Sequence, residues 1–265
     1  MPEGHTIHRL ARDHAALLVG RAPMLHSPQG RFSDGAARLS GRTVTGIEAY
    51  GKHLFYAFAE DLLLHVHLGL YGSWTGGFGV PPPPRGALRL RMTCDRAWLD
   101  LRGPTACEVV TPQDRDLVLA RLGPDPLLPS SDAVRAWERT SRSKTPIGQL
   151  LMDQSVLAGV GNVYRAESLF RARIAPRRPG HDVDRPTWDG LWSDLVRLMR
   201  SGVKAGRIIT TAPEHRPRRG GPVDPADAHY VYRRAGLPCR LCGVPVASSV
   251  MAGRNVFWCP SCQSD

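Results

Sequence analysis

Apolar residues recur at Ile7, Leu10, Leu17 and Leu18, near the 3.6-residue spacing of a helix, and Gly20 follows where a helix would stop. The spacing predicts one helix beginning just after Gly4. From residue 43 the texture changes to short segments divided by turns, at 43–50, 54–58, 62–68, 87–92, 97–101 and 107–110. Several alternate apolar with polar, as in Leu88-Arg89-Leu90-Arg91-Met92, the two-residue period of a strand with one face buried. They predict a β-rich domain, a sandwich rather than a barrel. Residues 76–85 are expected as an exposed loop, because the consecutive prolines at 81–84 donate nothing to a sheet ladder.

After residue 123 the pattern changes again. Gly123-Pro124-Asp125-Pro126 and Pro129-Ser130-Ser131 predict a linker over 124–131. Beyond it, 132–141, 146–157, 162–171 and 186–203 each carry helical periodicity, the last with Trp188, Leu191, Trp192, Leu195, Leu198 and Met199 on its apolar side. Residues 208–227, rich in Gly, Pro and Arg, are expected as a mobile loop. The chain is therefore expected as α+β: an N-terminal β-sandwich domain with a flanking helix over 1–123, a helical domain over 132–227, and a cysteine-bearing module over 228–265.

The net charge of +11 makes a polyanion the first partner to consider, although excess charge also serves solubility. Only Lys52, Lys144 and Lys204 among 35 basic residues are lysine. The arginine fork suits bidentate phosphate contacts, but a biased genome would write the same residues. No stretch reaches the roughly 18 apolar residues of a membrane span. The start Met1-Pro2-Glu3-Gly4-His5 lacks a signal-peptide pattern. A soluble, cytoplasmic, monomeric protein with no membrane partner is expected.

Candidate chemistry sits in four places. Cys239-x2-Cys242-x16-Cys259-x2-Cys262 has the spacing of a four-thiolate site for one structural Zn2+, and without an export signal two disulfides fit the pattern poorly. Residues 244–246 and 255–258 suit two short strands turning at Ala252-Gly253, with Arg254 at the tip of a zinc-stapled hairpin. Gly159-Val160-Gly161-Asn162 lies between two periodic segments and is expected to expose Asn162 and the first amides of a helix, a site for anions, unless it is an ordinary helical hairpin. Arginines at 171, 173, 177, 178, 216, 218 and 219 follow it.

Pro2 becomes a free secondary amine once Met1 is trimmed. Such an amine attacks a sugar's anomeric carbon and forms an iminium, an electron sink for further bond breaking; an α-amino group near pH 8 keeps a useful neutral fraction. Glu3 would move protons beside it. Alone, Met-Pro-Glu is only a start of translation. Lys52, in Gly51-Lys52-His53-Leu54, is the one lysine before Lys144 and hints at a need for a compact ammonium.

Together these parts resemble the formamidopyrimidine DNA glycosylase and endonuclease VIII family over nearly the whole chain. The resemblance rests on Met1-Pro2-Glu3-Gly4, Gly51-Lys52-His53-Leu54-Phe55, His67-Leu68-Gly69, Leu150-Leu151-Met152-Asp153-Gln154 running into Gly159-Val160-Gly161-Asn162, and the cysteines around Gly253-Arg254-Asn255-Val256-Phe257-Trp258, in that order. The Pro-Glu-Gly start looks more like the endonuclease VIII branch, and the whole most like its actinobacterial second-type members. The resemblance implies a β-sandwich, a helix-two-turn-helix domain ending in a zinc-ribbon β-hairpin, and double- or single-stranded DNA with oxidised bases or abasic sites held between the domains.

It also assigns roles. Pro2 forms the Schiff base with C1′ and Glu3 assists base loss. Lys52 contacts phosphate and donates a proton in β-elimination. Arg254 grips phosphates and is linked to δ-elimination, while Asn162 and Arg121 contact DNA. Leu70 and Tyr71, between Gly69 and Gly72, would fill the space of a flipped nucleotide; a place in the core is an equal reading for Leu70. The implied activity is that of a bifunctional glycosylase and abasic-site lyase on oxidised pyrimidines. Oxidised purines, or damage binding without turnover, are the alternatives. Three positions depart from the pattern: His5 and Thr6 stand where many members carry a second acid, and Gly69 stands where the endonuclease VIII wedge begins with glutamine.

Overall fold

Helix α1 (Gly4–Leu18) turns Gly4, Ile7, Ala11, His14 and Leu18 inward, three or four residues apart, and stops at Val19 before Gly20 in the left-handed region (φ 80°). The computed structural model describes residues 2–264. Its chain divides into two units, Met1–Arg121 and Leu122–Asp265.

The first unit holds β1 (Met24–His26), α2 (Ser33–Leu39), β2 (Val44–Tyr50), β3 (His53–Phe58), β4 (Leu62–His67), β5 (Ser73–Phe78), β6 (Leu88–Cys94), β7 (Ala97–Arg102), β8 (Ala106–Val110) and α3 (Pro112–Ala120). Two antiparallel four-stranded sheets, ordered β1-β6-β7-β5 and β2-β3-β4-β8, make the expected sandwich. Leu54, Tyr56, Leu64 and Val66 of one sheet meet Leu90, Met92, Leu99 and Leu101 of the other, with Ile7 and Leu18 of α1. Each large side chain so buried contributes about 1.5–3 kcal/mol.

The proline-rich segment begins later than expected, because residues 76–78 belong to β5. Gly76 and Gly77 lie in register with Leu99 and Trp98 of β7. A Cβ on Gly76 would stand 2.6 Å from Leu99 Cδ2, so the glycines there mark close packing rather than a loop. Helix α3 carries a capping box between Thr111 and Asp114, with Pro112 in its first turn, but buries no residue. It left no apolar period to read.

In the second unit, α4 (Ala133–Ser141) is capped by Asp132, and α7 (Arg185–Ala205) runs from an Asp184 cap to left-handed Gly206. The expected buried face of α7 is present in Trp188, Leu191, Leu195, Leu198 and Met199, with Trp192 partly buried beside them. Two expectations are corrected, and a third segment is tied down at one end. The start of the supposed linker is buried in this unit: Gly123 N–H donates to Gln154 O at 2.8 Å and Ala158 N–H to Pro124 O at 3.0 Å. The helix expected over 146–157 is one turn, α5 (Ile147–Leu150); beyond it Asp153 accepts from Ser155 N–H at 2.8 Å, side-chain turn chemistry that competes with helix. The segment 208–227 is anchored at its start, where Thr210 and Thr211 are buried.

That anchor is Glu167 on α6 (Asn162–Arg171). Its fully buried carboxylate accepts from the Thr210 hydroxyl and from the backbone N–H groups of Tyr230, Val231 and Tyr232, each of the latter at 2.8 Å. Glu167→Ala should therefore lower stability by about 3 kcal/mol or more, because three buried N–H groups lose their acceptor. Urea unfolding would measure it; a loss under 1 kcal/mol would mean that water replaces the carboxylate.

The chain ends in a hairpin, β9 (Ala247–Met251) and β10 (Arg254–Trp258), turning through Ala252 (φ 48°) and Gly253 (φ 72°) as expected. Residues 244–246 precede the first strand instead of forming it: Val244 and Val246 accept from Cys239 and Gly236 N–H to close the cysteine turn. Among the described residues no helix is long and apolar enough to cross a membrane.

Candidate active site and zinc centre

Glu3 occupies the N-cap of α1 with extended backbone, and its carbonyl accepts from Thr6 N–H at 2.9 Å. Its side chain is fully buried, whereas Pro2 is half-buried. A carboxylate at this end of a helix lies in the favourable field of the macrodipole. His5, at the position of a missing acid, is lowered to about 4 by burial, with the charge of Arg9 adding to it. A neutral imidazole thus stands where a second carboxylate would be.

Strand register gathers two further candidates at one end of the β2-β3-β4-β8 sheet. His53 pairs with Tyr50 on one side and His67 on the other, so the turn carrying Lys52 and the segment leaving β4 emerge together. In that segment Leu68 is buried, Leu70 is 49% exposed and Tyr71 is 89% exposed. The core reading of Leu70 therefore fails. Gly69 sits at φ 66°, and a Cβ there would lie 1.9 Å from Thr105 Oγ1; one on Gly72 would lie 2.2 Å from Leu68 O. Glutamine is excluded at 69 by both sterics and φ, which accounts for the departure noted above. Arg121, exposed at the C-terminus of α3, completes the group: burial above all, then the charges of His67, His65, Arg121 and Lys52, lower His53 to about 3.

Behind this face, His14 Nδ1 meets the Tyr56 hydroxyl at 2.7 Å, and burial lowers the imidazole to about 4. An unfolded chain protonates His14 near pH 6.5 while the folded one resists until about 4. Stability is thus full above pH 6.5 and falls as acid is added, by up to about 3 kcal/mol from this group. Chemical denaturation from pH 7 to 4 should display that slope, and His14→Phe should flatten it.

In the second unit, α6 opens at Gly161, but Asn162 does not project into solvent as expected. It is buried, its Nδ2 donating to Asn255 O at 3.0 Å while its Oδ1 accepts from Arg165. Arg165, fully buried, also donates to Asn255 O at 2.9 Å. Helix head and hairpin are therefore tied at the residue after Arg254. Arg254 is exposed at the tip and, with Arg165, Thr145, Gln149, Met152 and Asp153, lines a cavity of about 360 Å³. Sequence reasoning missed Arg165 because its i+3 relation to Asn162 inside an apolar helix looks like any surface arginine. It also missed Gln154, which clamps the turn by accepting from Gly159 N–H and donating to Met152 and Val160 carbonyls, all at 3.0 Å.

The four cysteines converge. Their sulfur atoms all lie within 4.8 Å of one another, with Cys239 to Cys262 at 3.9 Å and Cys242 to Cys259 at 3.4 Å. Tetrahedral bonds of about 2.3 Å require sulfurs about 3.8 Å apart, so the set fits one zinc. Leu241 and Cys262 N–H groups donate to Cys239 and Cys259 sulfurs, as suits thiolates. No disulfide links any of the six cysteines. The zinc is structural: Phe257 and Val246 beside the thiols pack on Phe170 and Ala166 of α6 and on Tyr230 and Val231.

Three family models match the chain: the formamidopyrimidine-DNA glycosylase N-terminal domain over residues 1–107, its H2TH domain over 122–214, and the zinc finger found in FPG and IleRS over 236–264. Endonuclease 8 1 of Mycobacterium tuberculosis is 49% identical across the whole of both chains. Formamidopyrimidine-DNA glycosylase of Thermus thermophilus is 31% identical over 100% of this chain and 99% of its own. In fold, the chain matches Lactococcus lactis Fpg from a complex with abasic-site DNA at a TM-score of 0.84, with 22% identity over 99% of this chain and all of that one.

Proposed function

Because the chain belongs to the formamidopyrimidine DNA glycosylase and endonuclease VIII family, DNA glycosylases with lyase activity in base excision repair, we propose that it excises oxidised pyrimidines and cleaves the abasic product through a Schiff base on Pro2. The placement of Glu3 carries this reading: a fully buried carboxyl at a helix head, one residue from a half-buried proline. The neutral amine of Pro2 attacks C1′ as the damaged base leaves with a proton supplied through Glu3; the amine then loses its own proton and the C1′–O4′ bond opens, O4′ leaving as a hydroxyl. The resulting iminium draws electrons from C2′. Loss of a proton there expels the 3′ phosphate (β-elimination), and a second elimination expels the 5′ phosphate (δ-elimination).

Lys52 neutralises phosphate and supplies the proton of the first elimination; Arg121 adds charge on the same face. Arg254 grips phosphate at the hairpin tip, and Asn162 supports it there through Asn255. A base must leave the stack before its glycosidic bond is reachable, at a cost of a few kcal/mol. Leu70 and Tyr71, the exposed apolar pair, fill the space it vacates. The Pro2-Glu3-Gly4 start and the endonuclease VIII name of the 49% relative favour pyrimidine lesions. The test is cleavage of duplexes carrying thymine glycol, dihydrouracil or 8-oxoguanine opposite each base. Pyrimidine lesions should be cut at least about tenfold faster. The reverse ranking would assign the chain to oxidised purines, and binding without any cleavage would overturn the chemistry.

A further inference from the structure

The outer face of the β2-β3-β4-β8 sheet carries a row of polar side chains that the proposed chemistry leaves unused. Register sets His65 opposite Phe55 on one side and opposite Glu108 on the other, and sets His53 opposite His67. The row is continuously bonded: His65 Nδ1 lies 2.8 Å from Glu108 Oε1, and His65 Nε2 lies 2.9 Å from His53 Nδ1. His65 and Phe55 are buried, with their rings stacked 4.7 Å apart, while the Glu108 side chain is 56% exposed.

With both rings neutral, donor arithmetic sets the protons along this row. An ionised Glu108 only accepts, so His65 carries its hydrogen on Nδ1. A neutral imidazole has one N–H, so in the neutral form of His65 the Nε2 is a lone pair that accepts from His53 Nδ1. His53 has then spent its own N–H, and its Nε2 is left as an acceptor. Burial keeps the His53 ring neutral. This acceptor belongs to a residue adjacent to Lys52 in sequence, with the His67 ring 4.9 Å away and the charges of Lys52 and Arg121 bearing on it.

Phe55 in the same row indicates that the face accepts apolar rings, and burying imidazoles costs more than burying another phenyl. The polar row is therefore retained at a cost to stability. We propose that His53, held in one tautomer by His65 and Glu108, is a positioning residue that orients Lys52 for the elimination step. The proposal rests on the Schiff-base reading given above, in which Pro2 makes the adduct and Lys52 acts after it.

That order separates the two ideas in one assay on abasic-site DNA with the full-length, zinc-loaded protein. Borohydride trapping reads attack by Pro2; single-turnover strand cleavage reads elimination. Glu108→Ala, at an exposed site with little folding risk, and His53→Phe should each slow cleavage about tenfold and leave trapped adduct within about twofold. Glu108→Gln, whose amide oxygen still accepts from His65 Nδ1, should restore cleavage to within about twofold of wild type. Long-range 1H–15N spectra should place the proton on Nδ1 in both His53 and His65.

Unchanged cleavage in Glu108→Ala and His53→Phe would overturn the positioning role and leave the Schiff base standing. So would adduct and cleavage falling in parallel, a glutamine variant no better than alanine, or a His53 proton on Nε2. Wild-type protein that cleaves yet traps no adduct would overturn the Schiff-base reading, and this role with it.

Discussion

Borohydride added to the protein and abasic-site DNA should yield a single covalent adduct mapping to Pro2, and a chain whose proline nitrogen is blocked by one retained residue should yield none. The expected fall in strand cleavage is at least about 10³-fold, the scale on which enzymes lose activity when the nucleophile itself is removed. The physical reason is specific to an amine at a chain start. Acylation converts it to an amide nitrogen whose lone pair is delocalised, so neither attack on C1′ nor the iminium is available. Pro2→Gly keeps an amine but loses the ring that fixes its direction, and its adduct should fall as well. An undiminished adduct in either chain would move the nucleophile elsewhere, with Lys52 the first residue to test.

Removal of zinc should have the largest effect on structure. Isolated zinc modules draw about 10–16 kcal/mol of apparent folding free energy from the metal, and a two-stranded hairpin with so small a core has little else to hold it. The hairpin here is not isolated. Its Val246 and Phe257 pack on Ala166 and Phe170 of α6, and its Asn255 carbonyl is held by Asn162 and Arg165. Chelation should therefore disorder the tip bearing Arg254 and loosen the head of α6 together. DNA affinity should drop steeply while the sandwich keeps its own cooperative transition. Trp258 fluorescence and near-ultraviolet circular dichroism during titration with a chelator would follow the first event, and calorimetry the second. Loss of both transitions at one chelator concentration would contradict independent cores.

Much of this was legible in the sequence wherever period and chemistry agree. The inward face of α7, six of the sandwich strands and the cysteine pairs all announce themselves, because each rests on a repeat or spacing with few structural solutions. Elements that bury little left no trace: α3 buries no residue, and β1 spans only three residues. Glycine misled twice in opposite ways. At 76 and 77 it marks tight strand packing read as loop, and at 123 it marks a buried turn read as linker. Asn162 was singled out for its place at a helix start, and its side chain reaches the hairpin carbonyl. Only contacts across 93 residues of sequence determine that choice, and no local pattern encodes them. The histidine row escaped notice because its partners lie on three different strands.

The turn between β4 and β5 also sets a limit for redesign. Thr105 and the Leu68 carbonyl occupy the space into which side chains at 69 and 72 would grow, so a library that varies this turn has two open positions, 70 and 71. Variation at 69 would become productive only after Thr105 is cut back to glycine or alanine, and even then the left-handed backbone would favour asparagine over the glutamine of related enzymes.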